Sequence, residues 1–86
     1  MKYVVTYTVV AERAADLPGA YPRHKAYLDA FVPADDILGI GTFEDPVVNG
    51  SMAVFETLES AQRFVAEDPF VVEGLVVPRA PLGWNV

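Results

Sequence analysis

Nine residues near the start of the chain, Lys2 to Val10 (KYVVTYTVV), constrain the fold more than any other stretch. Val, Tyr and Thr dominate it, and these side chains suit a pleated strand. Tyr3, Val5, Tyr7 and Val9 share one face, and Val4, Thr6, Thr8 and Val10 share the other. Neither set is properly polar. A strand that is apolar on both sides is usually covered on both sides. Packing is therefore expected above and below it.

The cover must come from a small body. The 86 residues make one domain, residues 1–86, with 52% apolar and only 21% charged side chains. A chain this short buries a smaller share of its surface than a larger domain does. A second copy is the most economical cover for the excess, and a symmetric homodimer is the expectation, with further assembly left open.

Composition also excludes partners. The net charge is −6 and the six basic residues are scattered. No stripe of Lys or Arg exists to neutralise phosphates, which argues against nucleic acid and against anionic membrane surfaces. Cysteine is absent, so disulfides, thiolate nucleophiles and cysteine metal sites are out. No apolar run approaches a membrane span, and the N-terminus reads as a strand, not a signal peptide. A soluble cytoplasmic protein is the default.

After the first strand, AERAADLPGAYP is a charged connection containing Pro and Gly. A helix follows, beginning between Leu17 and Pro22 and ending before Pro33. Pro22 suits a first turn, and Pro33 discourages helical geometry at Val32. Ile37 to Phe43 reads as a second strand whose Gly39 and Gly41 suggest a bulge or a close approach. EDPVVNG is turn material, and SMAVFET is a third strand, giving an antiparallel hairpin. Thr57 is placed to cap a second helix, LESAQRFVAED, with Glu59 in its first turn and Pro69 ending it. The last strand lies around Gly74 to Val77, extending toward Trp84. Pro78 and Pro81 put it at an edge. The order β-α-β-β-α-β predicts an α+β fold of the ferredoxin-like split βαβ kind. Two helices then cover one face of a four-stranded antiparallel sheet and leave the other open.

Two polar residues stand on the apolar arcs of these helices. His24, the only histidine, is centred among Leu17, Ala20, Tyr21, Tyr27, Leu28 and Phe31. Asp68, the last residue before Pro69, falls inside the arc of Leu58, Ala61, Phe64 and Val65. An inward carboxylate at a helix C-terminus faces both desolvation and an opposing helix dipole. The two helices run antiparallel in this arrangement, so His24 and Asp68 can meet. A carboxylate beside an imidazole fixes its tautomer and raises its basicity, as a general base requires. The structural alternative is a core histidine bonded to a carbonyl and a pre-proline acid capping a turn.

Other constellations are weaker. Asp35-Asp36 and Glu44-Asp45 read as solvated turn acids. A metal site would lack a second His or Cys, and no metal or cofactor is expected. Gly39, Gly41 and Gly50 form no phosphate-binding fingerprint. Ser51 has no nucleophile-elbow context. Ser51 with the aromatics Tyr7, Phe43 and Phe70 can instead line an apolar pocket for a ring-shaped ligand.

The segments YPRHKAYLDAF, GTFEDP…NGSMAVFET, AQRFVAEDPFVVEGLV and the terminal Trp84 together resemble the YciI-related (YCII domain) family over nearly the whole chain. The resemblance implies a ferredoxin-like domain pairing through sheet faces, within the dimeric α+β barrel group. It also implies an active site around a histidine and an aspartate, which map onto His24 and Asp68. One branch of that family is a dehydrochlorinase acting on a chlorinated hydroxyhydroquinone, and the wider group includes muconolactone isomerase and cofactor-free monooxygenases. Two places depart from the pattern. Tyr21 stands where an arginine is common, and adjacent Arg23 points elsewhere on the helix, so anion recognition is not carried over. Asp35-Asp36 replace a glycine-containing turn. The expectation is a small cofactor-free lyase or isomerase acting on a small cyclic or aromatic molecule. Its alternatives are a metabolite-binding module and an accessory dimeric protein without catalysis.

Overall fold

The computed structural model describes residues 1–86 as an α+β domain built on an antiparallel sheet. The elements are β1 (Lys2–Val9), α1 (Leu17–Ala30), β2 (Ile37–Thr42), α2 (Pro46–Asn49), β3 (Ser51–Phe55), α3 (Leu58–Glu67), α4 (Pro69–Val72), β4 (Val76–Pro78) and β5 (Leu82–Trp84). Short 3-10 segments precede α1 and β2. The sheet runs β2-β3-β1-β4, and β5 also pairs with β1. The doubly apolar strand is thus central. No helix is long and apolar enough to cross a membrane.

Register sorts the side chains. Val5 lies opposite Ala53, Tyr3 opposite Phe55 and Tyr7 opposite Ser51. Directly opposed residues share a face, and this is the helix-covered one. Val5, Ala53 and Phe55 are fully buried there with Ala61 and Phe64 of α3. Thr57 caps α3 as its position predicts, accepting a hydrogen bond from the Ser60 amide at 3.1 Å. Ser60 in turn donates to Asp36 at 2.5 Å and ties α3 to the segment before β2.

The opposite face carries Lys2, Val4, Thr6 and Thr8 of β1, with Met52, Val54, Val77, Leu82 and Trp84 opposite them. Val77, Leu82 and Trp84 are exposed. Gly39 and Gly41, opposite Val54 and Met52, leave open space where side chains would stand, and a depression of about 240 Å³ runs over them.

Three local expectations differ in detail. The final strand is two pieces along β1, interrupted from Arg79 to Pro81. Both pieces are short, and Pro78 sits at the edge of the sheet where a missing N–H costs no ladder bond. The turn between β2 and β3 contains a full helical turn, α2, flanked by Asp45 at φ 51° and Gly50 at φ 80°. Pro22 lies in the second turn of α1, because the helix begins at Leu17. Pro22 and Pro18 are both exposed, so the carbonyl that Pro22 cannot bond lies on the outer side of the helix, where its lost bond costs least.

Candidate active site

Asp68 sits between two helical segments. It ends α3 and begins α4, where its Oδ1 accepts the Phe70 N–H at 3.1 Å. The conflict with the dipole of α3 is offset by its role as N-cap of the turn that Pro69 starts. The residue is 2% exposed.

His24 reaches the same oxygen from α1. Its Nδ1–H donates to Asp68 Oδ1 at 2.7 Å, and the histidine is buried. Because the carboxylate only accepts, the neutral ring keeps its lone pair on Nε2. Nε2 makes no bond within the protein and is not sealed. Phe70 stacks on the imidazole with centroids 4.2 Å apart and planes 9° apart, and Phe64 meets its edge at 6.5 Å. Asp68 positions both partners: it holds the ring by a side-chain bond and Phe70 by an amide bond.

The pair opens on a cavity of about 450 Å³ between α1 and the helix side of the sheet. Tyr7, Ser51 and Phe70 line it together with His24 and Asp68. Phe43 does not. It borders the depression on the opposite face with Gly41 and Met52. A register shift between Ile37 and Gly39 is the reason. One extra residue reverses the alternation beyond it, so Phe43 no longer shares the face of Ile37.

Leu17, Leu28, Ile40 and Thr42 form an aliphatic and polar wall that no sequence pattern marks, and Tyr21 stands at the rim, 51% exposed despite its inward arc position. Gly50 is a further lining residue. A Cβ there would run into the Tyr7 carbonyl oxygen, so the turn can approach β1 only without a side chain. The Asn-Gly pair was the available signal.

Electrostatically the cavity is sparse. The Tyr7 hydroxyl is the one buried side-chain polar atom without a partner. Burial, with Asp68 nearby adding to it, holds the Tyr7 phenol well above the ordinary tyrosine range. Just outside, Arg23 forms a two-pronged pair with Glu73, both contacts at 2.8 Å. Arg23 holds the Glu73 carboxyl below its usual range. α1 and the segment around α4 are therefore joined twice, once in the interior and once at the surface. Comparison with known families and with curated proteins returns no match.

Proposed function

We propose that this chain is a small cofactor-free enzyme in which His24 is the general base or acid and Asp68 orients it. One observation carries the reading: a histidine that lines a cavity of about 450 Å³ is bonded through Nδ1 to a buried carboxylate at 2.7 Å and keeps Nε2 without a partner in the protein. A histidine sealed in the core with both nitrogens satisfied by backbone would not support this reading. In the proposed step Nε2 takes a proton from an acidic C–H of a small cyclic or aromatic substrate. The C–H electron pair passes into the substrate as an enolate. That anion either expels a leaving group such as chloride, forming a double bond, or takes a proton back at another carbon. Asp68 keeps Nδ1 protonated and stabilises the imidazolium that forms.

The fold part of the proposal is a ferredoxin-like, YciI-related domain that pairs through its open sheet face. The strand order, the two long helices on one side, and the exposed Val77, Leu82 and Trp84 support it. A metabolite-binding module is the second reading, favoured by the largely apolar walls.

The deciding experiment compares wild type with His24→Ala and Asp68→Asn on hydroxylated or halogenated quinols and on lactones. The base proposal expects His24→Ala to lose roughly 100-fold or more in turnover, with a smaller loss for Asp68→Asn. Unchanged turnover in both folded variants overturns it. Sedimentation at micromolar concentration checks pairing, and a monomer refutes it.

A further inference from the structure

We infer that the cavity is built for an uncharged, flat ring compound presenting a carbonyl oxygen, and that it rejects the corresponding carboxylate. The inference rests on reading the cavity as a substrate site and names the substrate class which that reading leaves open.

Sixteen residues line the cavity, and none is Lys or Arg. Four cations are paired elsewhere, Lys2 with Glu56, Arg13 with Asp16, Arg23 with Glu73 and Lys25 with Asp29, and Arg79 is exposed after β4, away from the lining. Arg63 lies over Phe31 and donates to the Val32 carbonyl. A carboxylate or phosphate entering the cavity would lose its water, gain no counter-charge and lie near Asp68. A cation would also have to give up its water against largely apolar walls, and the one carboxylate in the lining already accepts from His24 and from the Phe70 amide through Oδ1.

Shape and polarity then narrow the neutral class. Phe70, the imidazole and Tyr21 form aromatic surface on one side, with Leu28 and Ile40 among the other walls. The volume falls in the range of sites for small organic ligands. Tyr7 lines this space, and its hydroxyl is the buried group left without a partner. A phenolic O–H can donate to a carbonyl oxygen, and an unsatisfied buried donor gains most from one. A carbonyl polarised there acidifies the C–H beside it, which is the proton a base at His24 Nε2 would take.

Benzamide, benzoate and benzamidine test this, because they share a shape and differ in charge. Each is titrated against the isotope-labelled full chain at pH 7 and followed by amide shifts. Benzamide should shift Gly41, Ser51 and Phe70 saturably and bind at least about tenfold tighter than either ion, a difference of about 1.4 kcal/mol. Tyr7→Phe should weaken benzamide about fivefold or more and leave toluene binding unchanged. Benzoate or benzamidine binding as tightly as benzamide overturns the inference. So does full benzamide affinity in Tyr7→Phe, or no shift with any of the three. None of the probes reacts. A failure here therefore removes the substrate class alone, whereas unchanged turnover in His24→Ala removes the base alone.

Discussion

The two long helices lie on the same face of one sheet and treat it differently. α3 presses Ala61 and Phe64 against Val5, Ala53 and Phe55 until none of the five is exposed. α1 has only Ala20 and His24 buried along its length, and a cavity separates much of it from the strands. It is held through α4 and the 3-10 segment before it, more than by the sheet. The sequences explain the contrast. α3 segregates its apolar residues onto one side, whereas α1 spends central positions on His24 and a half-exposed Tyr21. The lesson is a division of labour: one half of the sheet face supplies cohesion, and the other trades packing for space.

The sharpest way to break the comparison is a matched pair of truncations. Phe64→Ala should cost about 3–5 kcal/mol in chemical denaturation, the range for emptying a packed aromatic site. Leu28→Ala, at a half-buried position already beside empty space, should cost about 1 kcal/mol. Equal losses would mean that α1 packs as α3 does. Next comes Gly50→Ala. Its φ of 80° and the Tyr7 carbonyl both oppose a side chain, so a loss of roughly 2 kcal/mol is expected, with disturbed amides at the β1–β3 end.

Tyr7→Phe should have the opposite sign. Removing a buried hydroxyl without a partner should raise stability by about 1 kcal/mol near neutral pH. The pH dependence follows from the raised phenol. Its contribution is complete below about pH 10, where unfolded tyrosine begins to ionise, and is lost as pH rises toward the higher folded value. Tyr27, raised chiefly by burial and by its bond to Glu67, acts in the same direction. Denaturation curves for Tyr7→Phe should therefore weaken less steeply in alkali than those of wild type. Identical slopes would contradict a buried, protonated Tyr7.

The smallest effect belongs to Arg23→Gln. Both partners are at the surface, so water and salt screen the pair. A slight loss is expected that vanishes in high salt. It should vanish too in acid, because the stabilisation from Glu73 exists above the ordinary glutamate range and is lost as pH falls through its lowered value. A large loss would show that the outer pair, and not His24–Asp68, fastens α1.

Much of this was legible beforehand. Helical periodicity turned His24 and Asp68 inward, and antiparallel helices brought their ends together, so the pair followed from sequence spacing. Thr57 was equally plain, since its cap bond lies within three residues. The cavity was not legible. Whether Leu28 meets the sheet or stands away from it depends on how α1 docks, which no local pattern encodes. Phe43 was misplaced for a sharper reason: a single extra residue after Ile37 reverses a whole strand's facing, and the two glycines there fit several bulge positions equally well.

Asp68 has a consequence for how this protein could change. One carboxylate ends a helix, begins another and orients the histidine. Substitutions there are judged by folding before they are judged by chemistry, so the position should be nearly closed to variation. Leu28, Thr42 and Tyr21 border the same space without such duties. New ligand preferences in descendants of this chain, natural or engineered, should accumulate at those walls while the pair stays fixed.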